Sequence, residues 1–467
     1  MNDYRSRLIV LSLAWLGLCG AAVAARGADA PSAEHDWPQW RGPHFDGSSD
    51  AVNLPDKFSP TDNCLWTAKL PGSANGTPVV AGGRVYLTAI DPQSKKLSGL
   101  CLDETDGHVL WQKDMGTAFK ENNRNNATSP SAVTDGQTVF FYFATGDLAA
   151  FDRDGKTLWA RNIQKDQGDF NYMWIYGSSP LLYKGKLYIQ CLHNDKSYDR
   201  RDQAGSADSY LLAIDPQTGK DLWKQVRPTE AAGESKEAYT TPIPFESAAG
   251  SQIVLVGGDC VTGHDPDTGK ELWRYGTWNP TKVNSWRMVT SAVCGEGMVF
   301  ACAPKGGPVM AIKEGATGNV PFDSAGWETK DYSSDVCVPL IYHHLLYILD
   351  GDKKTLYCVD PRTGQQKWQG QLQSSDSADA GGGRPGGPGG RRGGRGGGPV
   401  FRASPTAADG KIYCINENGD LWVIAADEFK VLNQISLGGK PDRSSIALTD
   451  GHVLVRAGDQ LFAFGKK

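Results

Sequence analysis

The chain has 467 residues, a formal net charge of −5, 22% charged residues and 39% hydrophobic ones. A mildly acidic balance of this kind speaks against a dedicated nucleic-acid binder. The length would hold roughly two or three average domains, but a repeat array grows as one closed body by adding units, so length alone does not divide the chain.

In chain order, the first segment reads as an export signal. Arg5 and Arg7 precede an apolar run from Leu8 to about Ala25, and Ala22-Val-Ala24 and Ala28-Asp-Ala30 offer small-residue cleavage sites. Residues 1–30 are therefore expected to be a signal peptide, leaving a periplasmic or extracellular chain with no integral membrane segment. Residues 31–63 read as an extended N-terminal arm carrying Trp37-Pro-Gln-Trp-Arg-Gly-Pro43. The strand Leu65-Trp66-Thr-Ala-Lys-Leu70 follows with no hairpin before it.

From there one pattern recurs. Tyr210-Leu-Leu-Ala-Ile-Asp-Pro-Gln-Thr-Gly-Lys-Asp-Leu-Trp223 returns as Val261 to Trp273 and as Leu356 to Trp368, with looser copies from Leu100 to Trp111 and from Leu148 to Trp159. Proline after Asp presets a turn, the following Gly tolerates positive φ, and the apolar runs on both sides favour strands. Ahead of each hairpin stands Ser or Thr with Pro, as in Thr77-Pro78, Ser129-Pro130, Ser179-Pro180, Thr241-Pro242 and Ser404-Pro405, leading into two further short strands. Four strands per unit at this spacing are the signature of a propeller blade, with the Trp filling the gap between neighbouring blades.

Units open near Thr77, Ser129, Ser179, Thr241, Ser291, Val338, Ser404 and Ser445. Two are degenerate: Glu314-Gly-Ala-Thr-Gly318 has its Trp delayed to Trp327, and Asn433 stands where another Trp is expected. Residues 445–464 supply only three strands, so the strand around Trp66 is expected to close the last blade. The prediction is an all-β, eight-bladed β-propeller of four-stranded antiparallel blades over residues 64–467, seven-bladed if one degenerate unit is not a separate sheet. The Gly/Arg-rich stretch at 374–399 has nothing to bury and is expected to be a disordered loop. Nine of the ten cysteines follow the signal, an odd number, and several sit in apolar strands, so buried thiols are expected rather than a disulfide framework.

With Ala213-Ile-Asp-Pro-Gln-Thr-Gly-Lys-Asp-Leu-Trp223 and its copies laid out, the chain resembles the pyrroloquinoline-quinone-type (PQQ) propeller repeat family from Trp66 to the C-terminus. The resemblance implies either a quinoprotein dehydrogenase, holding quinone and calcium on the propeller axis, or a cofactor-free platform such as the propeller of the bacterial outer-membrane protein assembly machine. No two cysteines are neighbours, whereas the resemblance would imply an adjacent pair for a quinoprotein alcohol dehydrogenase, and the Cys-x-x-Cys-His of the combined quinone and haem enzymes is absent too. The expectation is a non-catalytic platform without cofactor or metal, binding another exported protein or a small anionic ligand; PQQ and calcium belong to the alternative.

Residues just before each innermost strand should line the mouth of the central funnel: Asn75, Arg124, Asn126, Trp174, Tyr176, Tyr239, Trp286, Arg287, Asp335, Arg402 and Arg443. Four arginines against one Asp, with aromatics between them, suit a planar anion or an acidic segment, because guanidinium forks grip carboxylates and aromatic faces stack. The competing reading is that these arginines pair with loop carboxylates. Asp265-Pro-Asp-Thr-Gly269 and Asp152-Arg-Asp-Gly155 resemble partial calcium loops but coincide with the repeat turn and lack the distal Glu. His343-His344 occupies the place of the Lys184-Gly185 turn.

Overall fold

The computed structural model describes residues 35–118, 125–196, 208–373, 399–438 and 443–467. The expected signal peptide and all but the last residue of the Gly/Arg-rich loop lie outside them.

Eight sheets surround one axis. Blade 1 is built from Val79–Ala81, Arg84–Ile90, Lys96–Asp103 and Val109–Thr117, and each of blades 2, 3, 6 and 7 repeats that consecutive antiparallel order. In blade 8 the sheet order runs Cys64–Lys69, Gln460–Phe464, His452–Ala457, Ala447–Thr449, with Trp66 opposite Ala463. The N-terminal strand thus completes the C-terminal blade. Both degenerate units are separate sheets. In blade 5 the delayed Trp lies in the outer strand Trp327–Thr329, paired to Val309–Lys313. The residues skipped on the way, Gly318–Val320, add a fifth, parallel strand to the outer edge of blade 4 at Glu271–Gly276. In blade 7 Asn433 sits opposite Val423, the register Trp223 holds opposite Ala213 in blade 3, and its amide donates to the Phe58 carbonyl at 2.9 Å.

The repeat turn explains how blades dock. In Asp215-Pro-Gln-Thr-Gly219, Asp215 Oδ1 accepts the N–H groups of Gln217 and Thr218, and Gly219 takes φ +70°. The indole of Trp159 in the preceding blade lies on that glycine, so a Cβ there would come within 2.6 Å of the ring. The Trp159 indole N–H donates to the Pro216 carbonyl at 2.8 Å. Trp66 on Gly107, Trp111 on Gly155, Trp223 on Gly269 and Trp327 on Gly364 repeat the contact. Each such indole contributes at most about 4–6 kcal/mol by area burial.

At the opposite end of the blades a hydroxyl belt ties the innermost strands. Thr77 N–H donates to Ser131 Oγ at 2.9 Å, Ser131 N–H to Ser179 Oγ at 3.0 Å, Ser179 N–H to Thr241 Oγ1 at 2.9 Å and Thr241 N–H to Ser291 Oγ at 2.9 Å. The belt resumes from Val338 N–H to Ser404 Oγ at 3.0 Å, Ser404 N–H to Ser445 Oγ at 3.2 Å and Ser445 N–H to Thr77 Oγ1 at 3.2 Å. Val338 has no hydroxyl to offer. In blade 2 the belt residue is Ser131, not Ser129 of the Ser-Pro signature, because the first strand there starts at Val133.

The arm crosses the axis. Trp37 bridges Val80 of blade 1 and Gln39 bridges Val133 of blade 2, Phe45 packs on Tyr183 of blade 3, and Ser48 bridges Ala407 of blade 7. Between them Arg41, 1% exposed, donates to the carbonyls of Pro339 at 2.6 Å, Pro405 at 2.9 Å and Asp46 at 2.8 Å. Burial pulls its pKa down to about 10.

The nine described cysteines are free thiols, seven of them buried. Among the described residues no helix is long and apolar enough to cross a membrane.

Candidate functional site

In a four-stranded antiparallel blade, the connection into the first strand and the turn between strands two and three share one end. The belt marks that end, and above it lies an axial cavity of about 400 Å³. Its walls include Asn75, Trp174, Tyr239, Arg287, Asp335, Arg402 and Arg443 from the sequence-derived set, and Trp40 of the arm also lines it.

The remaining expected residues lie elsewhere. Tyr176 is 2% exposed and donates its hydroxyl to the Gln190 carbonyl at 2.7 Å, held among Tyr142, Phe170 and Tyr172 in the core. Asn126 caps a turn, its Oδ1 accepting from Thr128 N–H at 3.0 Å and Thr128 Oγ1 at 2.6 Å, while its neighbour Asn125 reaches the cavity. Trp286 packs against the apolar cluster of blades 4 and 5. Arg124 lies outside the described residues. Offset from the belt by one or two residues is enough to move a side chain from funnel to core, and composition carries no signal for that offset.

Each described funnel arginine faces a carboxylate. Arg287 meets Glu234 at 3.5 Å, Arg402 meets Asp352 at 2.6 Å and Arg443 meets Glu417 at 2.8 Å. Burial pulls the Arg402 guanidinium down, but the hydrogen bond and charge of Asp352 outweigh it and its pKa lies above the usual value. Asp335 accepts the Lys305 backbone N–H at 2.8 Å, with the Lys305 ammonium at 4.0 Å. The excess of cations read from the sequence is therefore matched by Glu234, Asp352 and Glu417. Lys305, Asp352 and Glu417 occupy turns between strands two and three, and that blade geometry is the signal that would have found them.

The aromatic side of the wall is equally tied down. Trp174 donates its indole N–H to Glu234 Oε1 at 2.9 Å, and the Arg287 guanidinium stands 5.9 Å from its ring centroid. Tyr239 donates to the fully buried Glu237 at 2.7 Å and accepts the Trp174 backbone N–H at 3.2 Å. Burial, with Glu237 beside it, holds the Tyr239 phenol well above its usual pKa.

The sequence model of one protein family, described as outer membrane protein assembly factor BamB, matches residues 59–188 and 174–370. The chain belongs to this family. Polyvinylalcohol dehydrogenase of Pseudomonas sp is 28% identical over 188 residues, 38% of this chain and 25% of the relative. Quinohemoprotein alcohol dehydrogenase ADH-IIG of Pseudomonas putida is 25% identical over 248 residues, 48% of this chain and 31% of the relative. This BamB-family chain thus spans about a quarter to a third of the length of those relatives. Among solved structures, quinohemoprotein alcohol dehydrogenase from Comamonas testosteroni superposes with TM-score 0.63 at 14% identity, over 93% of this chain and 82% of the other. BamB from Moraxella catarrhalis superposes with TM-score 0.57 at 9% identity, over 86% and 99%. At these identities the likeness establishes the fold.

A quinone held with calcium on the axis of this BamB-family chain would draw on the carboxylates of the funnel wall. Calcium asks for roughly six to eight oxygen ligands, several of them carboxylate. The carboxylates on these walls are engaged, Asp335 by Lys305 and Glu417 by Arg443. Among the described residues, the one group of three converging His, Cys, Asp or Glu side chains is Asp103, Asp106 and His108, in a blade 1 repeat turn away from the axis. The turns at Asp152 and Asp265 accept their own backbone N–H groups, and His343 and His344 form a positive-φ turn like that at Lys184-Gly185.

Proposed function

We propose that this chain is an exported, non-catalytic binding platform that receives a segment of a partner protein in its axial funnel. The observation that carries this reading is the pairing of each described funnel arginine with a carboxylate. Ion pairs at the wall present donors and acceptors with little net charge, which suits a polypeptide segment bringing both. Trp40, Trp174 and Tyr239 add apolar faces, and about 400 Å³ lies within the range of ligand pockets. A quinone tricarboxylate, by contrast, would bring several negative charges to cations already matched, and would need a cation site that these carboxylates do not leave free.

The test crosslinks the full chain in the exporting cell and uses the purified chain for cofactor binding. A photo-crosslinking residue in place of Asn75, at the funnel, is expected to give a discrete adduct with one exported protein, while the same residue in place of Leu158, on the outer rim, gives none. In parallel, quinone with calcium is expected to leave neither a bound chromophore nor alcohol-dependent dye reduction. A chromophore with turnover would overturn the platform in favour of a quinone-dependent dehydrogenase, the reading favoured by the names of the relatives.

A further inference from the structure

Away from the axis, a second cavity of about 690 Å³ lies between the outer parts of blades 3 and 4. Cys260, Asp259, Arg274 and Asn279 line it, with Glu230 and Lys282. Two features set it apart from an ordinary crevice.

The first is the surroundings of Cys260. Its Sγ lies 3.2 Å from Arg227 Nη2 and 3.1 Å from Arg274 Nη1. Other thiols here make their polar contacts at longer range, Cys64 at 3.5 Å, Cys337 at 3.5 Å and Cys191 at 3.9 Å. Arg227 is 1% exposed, and its remaining partners are Thr262 Oγ1 and the Cys260 carbonyl. The Cys260 sulfur thus faces two guanidinium groups at once, one of them buried. The second feature is Asp259, 5% exposed, whose Oδ2 accepts from Asn279 at 2.9 Å while its buried Oδ1 has no hydrogen-bond partner.

The charges can be matched one by one. Arg274 is held by Glu271 at 2.6 Å and Lys282 by Glu230 at 3.3 Å. Arg227 faces the Cys260 sulfur. What remains on the wall is the Asp259 carboxylate, and burial pushes its pKa up to about 6, so it is ionised in mildly alkaline solution.

We propose that this cavity is a second site, in which the Cys260 thiolate exchanges with small disulfides that carry an ammonium group, the ammonium being held by Asp259. Cys260 Sγ attacks one sulfur of the incoming disulfide and forms a mixed disulfide. The original S–S bond breaks, and the displaced sulfur leaves as a thiolate that takes a proton from solvent. The disulfide is the oxidant, so no other reagent is needed.

The full chain is exposed in mildly alkaline buffer to cystamine, which carries two ammonium groups, or to dithiodiglycolate, which carries two carboxylates, and adducts are followed by peptide mass spectrometry. Cys260 is expected to be modified before the other thiols and, with each rate taken relative to that of the same reagent with 2-mercaptoethanol so that leaving-group strength cancels, about tenfold faster by cystamine, the ratio one partly buried ion pair supplies. Asp259→Asn should bring the two rates together. Asn tolerates the φ of +63° at this position and can keep the Asn279 hydrogen bond, so the variant should fold. An unmodified Cys260 beside a modified Cys64, equal rates with the two reagents, or a preference that survives in Asp259→Asn would each overturn the proposal.

Discussion

The backbone N–H of Ser445 donates to the Thr77 hydroxyl at 3.2 Å, joining residues 368 positions apart. The last blade is thus held to the first by the same rung that joins neighbours elsewhere in the belt, in addition to the strand at Trp66. Closure and ordinary blade contact share one chemistry.

Thr77→Val keeps the shape and removes the acceptor. It leaves a buried N–H unpaired and should cost about 1–3 kcal/mol in denaturant unfolding, with Thr77→Ser close to neutral. Equal stability of the two variants would show that the rung contributes nothing.

Gly219→Ala places a methyl within 2.6 Å of the Trp159 indole and strains φ at +70°, whereas Gly185→Ala carries the same φ with nothing within 4 Å. The second change isolates backbone strain, about 1–2 kcal/mol. The first should cost clearly more, and loss of Trp159 packing should appear in near-ultraviolet dichroism.

Arg41→Lys replaces a planar fork that serves three carbonyls with a point donor that cannot span them. The variant should lose about 2–4 kcal/mol, since buried carbonyls lose their donors. Cleavage of the arm by a protease would follow the loss.

Asp36 accepts the Gly82 N–H at 3.1 Å, yet burial pushes its pKa up to about 6 from an ordinary value of 3.8. A raised carboxyl pKa favours the protonated form in the fold, so its contribution is fully present below about 4 and is lost as pH rises through about 6. Asp36→Asn should therefore stabilise the chain at neutral pH by about 1 kcal/mol after allowing for solvent screening, and should make no difference in acid. Unfolding curves across that range check the sign.

Glu417→Gln should remove the carboxylate charge that faces Arg443 at the funnel. Binding of a planar polyanion such as the quinone alone should strengthen by about five- to tenfold and weaken with added salt. An unchanged affinity would mean that Arg443 stays turned away from the funnel.

The ring and its blade count were legible because turns and docking demand particular residues at particular places. Asp215 must accept two N–H groups, Gly219 must take positive φ under an indole, and both demands recur at a fixed spacing. The funnel was legible only in outline. Arg402 and Asp352 lie 50 positions apart and belong to different loops, so their pairing follows from blade closure rather than from any local pattern. Tyr176 and Asn126 differ from true wall residues by a small offset along the same loops, and offsets are set by where the first strand begins, as the shift from Ser129 to Ser131 shows. Trp-Arg-Gly in the arm marked a tail, but only the carbonyls of Pro339 and Pro405 reveal that Arg41 ties distant blades together.

The arm ties blades 1 and 2 to blade 7 and also brings Trp40 to the wall of the axial cavity, so one stretch of chain both braces the ring and lines the cavity. A change that loosens the arm, such as one at Arg41, would therefore reshape the cavity wall at Trp40 as well as slacken the ring.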